Sequence, residues 1–142
     1  MKKTLMRTLL PLMACAMLLT LASCEETFDY TLLEGEWRVE EAVSLDGGSR
    51  YDLPYLAGDL WSFRKGWFRA LLVGGGMDEG CYDIYDNHIF IDFDGDGNAD
   101  LRGRIVRLSN TCLSLRITDY GSTLESGYRH ARLYKLTLTY RP

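Results

Sequence analysis

The sequence predicts an all-β domain: a small antiparallel up-and-down barrel of about eight strands that follows an N-terminal signal peptide. Three observations lead to this prediction. Apolar and polar residues alternate with a period of two over most of the chain after residue 35. Turn-forming residues interrupt the alternation about every 8–12 residues, which is typical of a sandwich or barrel. No stretch shows the apolar periodicity of an amphipathic helix of useful length.

The N-terminal segment has the features of an exported precursor. Lys2, Lys3 and Arg7 form a positive head, and the uncharged, mostly apolar run Leu9–Leu21 follows. That run is shorter than the roughly 20 residues that a bilayer-spanning helix needs, and its length suits a secretory signal.

The end of this run, Leu21-Ala22-Ser23-Cys24, resembles a bacterial lipobox. The resemblance implies that residues 1–23 are removed and that Cys24 carries acyl chains such as palmitate. Each buried methylene contributes about 0.8 kcal/mol, so several chains would anchor the protein to a membrane. Two alternatives are a soluble secreted protein cleaved nearby and an uncleaved signal sequence that anchors the chain.

The mature chain is expected to be acidic and to form one domain. Removing residues 1–23 from 142 leaves 119, a length typical of one domain. The removed part carries three of the 16 basic residues and none of the 20 acidic ones, so 13 basic residues face 20 acidic ones and the net charge is −7. This balance argues against nucleic acid or anionic lipid headgroups as partners, because both need clustered positive charge.

We expect residues 24–34 to form a lipid-attached tether and residues 35–142 to form the barrel. The alternation places Trp37, Val39, Val43 and Leu45 on one face of the first strand. The later strands are expected around Trp61 and Phe63; Trp67 to Val73; Tyr82 and Ile84; Ile89, Ile91 and Phe93; Leu101, Ile105 and Val106; Leu113, Leu115 and Ile117; and Tyr134, Leu136, Leu138 and Tyr140. Short turns join these strands into a meander, and closing a meander into a barrel removes its exposed edges.

Several segments resemble lipocalins. Gly35-Glu36-Trp37 is similar to the Gly-x-Trp motif, whose tryptophan plugs one end of the lipocalin barrel. Trp61–Phe63, Gly80–Ile84 and Leu108–Leu115 are similar, in order and spacing, to strands of the small lipocalin-like lipoproteins of Gram-negative gut bacteria. The resemblance covers nearly all of the mature chain and implies a lipocalin-like barrel. The chain departs from larger lipocalins in lacking a helix before the last strand.

Cys81 and Cys112 are predicted to be separate thiols. Each alternates with apolar neighbours and should point outward. Two strands lie between theirs in a meander, which separates them by about 14 Å at a strand spacing of about 4.8 Å. A disulfide requires Cα atoms within about 7 Å. An oxidising compartment favours the opposite interpretation, a bridge.

The segment IDFDGDGNAD, residues 91–100, is a candidate calcium loop. Its alternating oxygen-bearing residues match the first half of the loop pattern D-x-[DN]-x-[DN]-G. The candidate ligands are Asp92, Asp94, Asp96, Asn98 and Asp100. Gly103 stands where the pattern has its bidentate carboxylate, so we expect weak, structural Ca²⁺ binding at about 0.1–1 mM. The alternative is an ordinary turn, since Asp-Gly pairs favour hairpins.

The aromatic residues offer a second candidate site. Trp61, Trp67, Phe63 and Tyr82, together with the loop Gly74–Gly80, would bind a small apolar or glycan ligand at the open barrel end. The alternative is that aromatic side chains simply fill the barrel as its core.

Nothing in the sequence predicts an enzyme. Ser62-Phe63-Arg64-Lys65 matches S-x-x-K, but that chemistry needs a helix and this stretch alternates as a strand. The two histidines, His88 and His130, have no partner at a spacing that suits zinc.

The leading hypothesis is therefore a membrane-anchored lipoprotein that binds a small apolar or glycan ligand in the cell envelope. We expect it at the outer membrane or the periplasmic face, and Glu25-Glu26 directly after Cys24 resembles signals for export to the cell surface. The rival is a structural or interaction lipoprotein with a filled, calcium-stabilised barrel that docks an envelope partner.

Overall fold

The computed structural model describes residues 26–48, 53–120 and 131–142. Its eight antiparallel strands each pair with the next in sequence, and the last pairs with the first, so the sheet is a closed barrel. The strands are β1 (Gly35–Ser44), β2 (Leu60–Arg64), β3 (Trp67–Leu71), β4 (Met77–Tyr85), β5 (His88–Asp92), β6 (Leu101–Leu108), β7 (Cys112–Asp119) and β8 (Arg132–Arg141). The predicted fold class is confirmed. The predicted signal peptide, Cys24, Glu25 and His130 lie outside the described residues.

The barrel interior is filled by apolar side chains from alternate positions of the strands. Trp61 packs edge-to-face on Phe63 and Phe68, with ring centroids 6.2 and 5.0 Å apart. An eight-stranded barrel is just wide enough for such side chains to meet across it. The buried apolar residues contributed by the strands are Trp37, Val39, Trp61, Phe63, Phe68, Ala70, Ile89, Ile91, Leu101, Ile105, Leu113, Leu115, Ile117, Tyr134, Leu136 and Leu138.

A short 3₁₀ helix, Tyr30–Leu33, closes the end of the barrel where β1 begins. Leu33 is fully buried, and its carbonyl accepts a 2.8 Å hydrogen bond from the indole of Trp37. Tyr30 donates its hydroxyl hydrogen to the Asn87 side chain at 2.6 Å, in the turn between β4 and β5. The segment expected to be a tether is therefore bound to the barrel over its described part. We call this the closed end and the opposite one the open end.

Gly35 fits the Gly-x-Trp segment because the ring of Tyr140 lies against its backbone. A Cβ at Gly35 would come within 2.6 Å of the Tyr140 ring, and the φ angle of Gly35 is +137°. The same ring packs edge-to-face on Trp37 at 5.4 Å. Tyr140 is exposed on its other side, so it covers the closed end from outside the core.

A β-bulge corrects the predicted faces of β1. The pairing with β8 shifts between Val39 and Glu41, so the strand holds one extra residue at this point. Because side chains alternate with a period of two, the extra residue reverses the faces beyond it. Trp37 and Val39 are buried as predicted, but the prediction for Val43 and Leu45 is wrong: both are exposed.

A second bulge lies in β6, between Ile105 and Arg107. Ile105 is buried and Val106 is exposed, so the two share no face. The cysteines agree with the prediction: Cys81 in β4 and Cys112 in β7 are free thiols. Among the described residues no helix is long and apolar enough to cross a membrane.

Asp59 connects two loops of the open end. One of its carboxylate oxygens accepts a hydrogen bond from the Leu56 amide and the other accepts one from the Val73 amide, both at 2.8 Å. Its carbonyl also accepts from the Val39 amide at 2.8 Å. The side chain is almost fully buried, so the two amides have no water to replace it.

Replacing Asp59 by Asn should destabilise the fold. Asparagine offers one acceptor oxygen, so one amide would lose its partner and face an NH₂ group. We expect the free energy of unfolding in urea to fall by about 1–3 kcal/mol. Asp83→Asn, at an exposed position, is the matched control and should stay within about 0.5 kcal/mol of the parent. Equal effects from both changes would contradict this role for Asp59.

Candidate functional site

Polar side chains face inward at the open end. The register pairs Asp119 of β7 with the buried Leu101 and with Arg132, so all three lie on the inner side of the sheet. Asp78 of β4 lies nearby, because its carboxylate accepts a 2.9 Å hydrogen bond from the hydroxyl of the buried Tyr55. The inner surface is therefore apolar near the closed end and polar near the open end.

Two tyrosines at this end are held in the neutral form. Burial, followed by the nearby Asp78 carboxylate, raises the pKa of Tyr55 far above its usual value. Burial, with Asp119 as the next cause, raises the pKa of Tyr134 well above its usual value. Both hydroxyls therefore remain hydrogen-bond donors at every physiological pH.

Two buried donors at this end have no hydrogen-bond partner among the described residues. They are the indole N–H of Trp61 and the hydroxyl of Tyr134. Both side chains are fully buried, and Trp61 packs edge-to-face on Tyr55 with ring centroids 4.9 Å apart. More than nine in ten buried polar groups have a partner, so two unpartnered donors in one region point to a missing acceptor.

The structure separates the four aromatic residues predicted to bind ligand. Trp61 and Phe63 are buried in the interior, and half-buried Tyr82 packs on Phe63 at 5.2 Å. Trp67 is 45% exposed, on the outer face, and begins β3 at the closed end. The prediction that Trp67 lines the open end is therefore wrong, because its neighbour Phe68 takes the inward position. Phe63 and Tyr82 also lie towards the closed end, where Phe63 pairs with Gly35 and the Tyr82 amide donates to the Gly66 carbonyl.

The acidic loop between β5 and β6 brings three of its predicted ligands together. One carboxylate oxygen from each of Asp92, Asp94 and Asp100 lies within 4.8 Å of the others. Asp96 is outside this group. The Asp96 carboxylate accepts a 2.7 Å hydrogen bond from the Asn98 amide.

Backbone amides hold the three carboxylates in place. The two oxygens of Asp92 accept from the Gly95 and Gly97 amides at 2.7 and 2.8 Å. Asp100 accepts from the Phe93 amide at 2.8 Å, which ties the end of the loop to its start. The cluster is therefore built by local turn geometry, and a cation would find its ligands already gathered.

The carboxylates interact unfavourably with one another. The Gly97 amide is the largest cause that lowers the pKa of Asp92. The pKa of Asp94 is raised: the hydrogen bond from the Asp96 amide acts to lower it, but desolvation and the neighbouring carboxyls Asp92, Asp96 and Asp100 outweigh that bond. Protonation of Asp94, or a cation bound beside it, would therefore reduce the repulsion between these carboxylates the most.

Gly80 sets the position of this loop. A Cβ at Gly80 would overlap the carbonyl of Asp92 and crowd the Cα of Phe93. Because Gly80 has no side chain, the backbone of Asp92 and Phe93 at the end of β5 can lie close against β4. A surface groove of about 400 Å³ lies nearby, lined by Cys81, Tyr82, Asp83, Phe90, Asp92, Gly97 and Ala99.

Sequence reasoning missed most of the polar inner surface, although a signal was present. Asp78 has the same parity in β4 as Tyr82 and Ile84, and Asp119 has the same parity in β7 as Ile117. An acidic residue at an inward position marks a site inside a barrel. Tyr55 lies in a loop and gave no such signal.

Comparisons with known proteins leave the family of this chain open. No family model matches it, and no curated protein matches it. One similar solved structure is described as EF1p2_mFAP2b bound to DFHBI. It aligns with 18% identity and a TM-score of 0.47 over 78% of this chain and 95% of that one. A similarity this distant says nothing about what the present chain binds.

Replacing Asp94 by Asn should stabilise the calcium-free protein. A raised pKa in the folded state means that Asp94 favours folding when protonated and that this contribution is lost as the pH rises through its pKa. At pH 7 and low ionic strength, with a chelator present, we expect Asp94→Asn to raise the Tm by about 1–3 °C. The difference should vanish at a pH below the pKa of Asp94.

The control is Asp86→Asn, which removes an exposed negative charge far from the loop. It should change the Tm by less than Asp94→Asn does and show no comparable pH dependence. A drop in Tm for Asp94→Asn at pH 7 would show that its hydrogen bond outweighs the repulsion.

Proposed function

We propose that this protein is a binding module of the cell envelope whose site lies inside the open end of the barrel. The observation that supports the proposal is the pair of buried, unpartnered donors, Trp61 Nε1 and the Tyr134 hydroxyl. An unsatisfied buried donor costs about 1–3 kcal/mol. A ligand with acceptor atoms in this region would recover that free energy.

The surrounding groups define the class of ligand. Tyr55 and Trp61 supply apolar ring surface, while Asp78 supplies a carboxylate, one oxygen of which accepts a hydrogen bond from Tyr55. Ring faces beside alternating donors and acceptors suit a molecule with hydroxyl groups on an apolar frame. A glycan or a hydroxylated apolar compound therefore fits better than a wholly apolar one.

The proposed anchor and the proposed site would lie at opposite ends. The Asn87 side chain donates a 2.9 Å hydrogen bond to the carbonyl of Glu26, at the closed end. Cys24 is two residues before Glu26 in the sequence, and two residues of chain span at most about 7 Å between Cα atoms, so an acyl group on its thiol would start close to the closed end. A lipoprotein attached in this way at the outer membrane or periplasmic face would hold its open end away from the lipid. The proposed role is non-catalytic.

The rival proposal is a filled barrel that docks an envelope partner through its outer surface. The observation in its favour is the packed aromatic interior, in which Trp37, Phe63 and Phe68 are all fully buried. In this case the buried Tyr134 hydroxyl would have no role in binding, and its missing hydrogen bond would only lower the stability of the core. The two proposals differ in what the loss of that hydroxyl does to binding.

Replacing Tyr134 by Phe should weaken ligand binding without loss of stability. We expect a compound to copurify with the full-length parent protein and to be detected by untargeted mass spectrometry of an organic extract. Its amount should fall at least about tenfold in Tyr134→Phe, which corresponds to about 1.4 kcal/mol of lost affinity. The Tm should stay level or rise, because an unpartnered hydroxyl is removed.

Tyr140→Phe is the matched control, since it changes the same strand at the closed end. It should retain the compound. If nothing copurifies with the parent, or if both variants retain the compound equally, the filled barrel is the better account.

We further propose that the acidic loop binds Ca²⁺ and that the ion stabilises the turn between β5 and β6. The observation that supports it is the convergence of Asp92, Asp94 and Asp100 oxygens within 4.8 Å. Calcium takes six to eight oxygen ligands, so backbone carbonyls and water would complete the shell. The expected affinity is about 0.1–1 mM, as in extracellular modules.

Millimolar calcium should raise the Tm, and the effect should depend on the three converging carboxylates. Asp94→Asn is expected to abolish the rise, because it removes one of them. Asp96→Asn removes the same charge from the same loop but lies outside the group, so most of the rise should remain. No rise in the parent, or equal loss in both variants, would make the segment an ordinary turn.

A further inference from the structure

The outer wall of β5 to β8 concentrates positive charge in an otherwise acidic chain. In the sheet register, Arg104 of β6 lies directly opposite Arg116 of β7, and Arg116 lies directly opposite Lys135 of β8. On the other side, Arg104 lies opposite His88 of β5. The net charge of the whole chain is −4. Four basic side chains therefore form one continuous row across four adjacent strands.

A second row completes a groove on this wall. Arg102 lies opposite Thr118 on one side and Phe90 on the other, and its guanidinium lies 5.5 Å from the centre of the Phe90 ring. The groove has a volume of about 290 Å³. Its lining consists of Leu45, His88, Arg102, Arg104, Arg116, Ile117, Thr118 and Leu133.

No described carboxylate forms an ion pair with Arg102, Arg104 or Arg116. The ion pairs of Arg69 with Glu79 and of Arg141 with Glu36 lie elsewhere on the barrel. The nearest acidic positions belong to the acidic loop: Asp100 is two residues before Arg102, and Asp92 is two residues after Phe90, the partner of Arg102. The carboxylates of both accept hydrogen bonds from backbone amides of their own loop. Like charges directly opposite each other destabilise a sheet, so the row costs stability unless an anion occupies it.

The shape of the groove selects the kind of anion. Guanidinium groups bind phosphate through paired N–H donors, and two facing arginines offer several such pairs. The volume is near the lower limit of small-ligand sites, about 300 Å³, so it suits a single compact group. A long polyanion would have to cross the acidic remainder of the surface, which disfavours nucleic acid.

We propose that Arg102, Arg104 and Arg116 bind a phosphate group on the outer wall of the barrel. The exposed Leu45 and Leu133 at the end of the groove would contact an apolar substituent of the phosphate ester. The site is separate from the open end, because these side chains point outward from the strands whose inward residues fill the core. Its test is therefore independent of the ligand proposed for Trp61 and Tyr134.

The test compares the full-length parent protein with an Arg104→Gln/Arg116→Gln variant. At low ionic strength without phosphate, the variant should have the higher Tm, because the facing charges are gone. Inorganic phosphate at about 10 mM should raise the Tm of the parent by about 3–6 °C relative to sodium chloride of equal ionic strength. The variant should not respond. Arg38→Gln, an exposed arginine of β1, is the control and should respond like the parent.

Vesicles distinguish the source of the phosphate. This measurement uses a Cys24→Ser background, so that no acyl chain on Cys24 attaches the protein to the vesicles. Sedimentation with phosphatidylglycerol vesicles, but not with phosphatidylcholine vesicles, and its loss in the double variant would assign a lipid headgroup. A response to inorganic phosphate alone would assign a soluble phosphate ester. The proposal is overturned if the double variant matches the parent in both measurements, or if the parent responds to neither probe.

Discussion

Closure of the sheet between β1 and β8 is the constraint on which the rest of the structure depends. The two strands pair along almost their whole length, from Glu36 and Arg141 to Ser44 and Tyr134. Because of this pairing every strand has two neighbours, and each residue faces either a filled interior or the surface. The interior contains Trp61 and Tyr134, and the outer surface carries the row of basic side chains that runs from His88 to Lys135. The interior site and the phosphate groove that we propose both depend on this closure, because a closed sheet gives one strand two distinct environments.

Alternation in the sequence was enough to predict the strands, their order and the two free cysteines. It failed where a single extra residue entered a strand. The bulge after Val39 leaves no mark in the residue types, and it turned Val43 and Leu45 outward. Trp67 is a different case. The segment Trp67–Leu71 is apolar on both faces except for Arg69, which shares the face of Trp67 and indicated that this face is exposed.

The candidate sites differ in how much of each the sequence could reveal. The acidic loop is contiguous, so its pattern was visible, but only the folded turn shows that Asp92, Asp94 and Asp100 converge within 4.8 Å without Asp96. The polar inner surface is assembled from a loop and three strands that lie far apart in the chain. The row of basic side chains could not be predicted from the net charge, because a sum over the whole chain does not show which residues share a face.

The three tryptophans occupy three different surroundings. Trp37 is hydrogen-bonded to Leu33 at the closed end, Trp61 is buried beside Tyr55, and Trp67 is on the surface. Indole emission shifts to longer wavelength in water, so the buried Trp37 and Trp61 should emit at shorter wavelength than the exposed Trp67. A water-soluble collisional quencher reaches only Trp67. The light that survives quenching comes from the interior, which gives the protein an optical reporter of its own barrel without any added label.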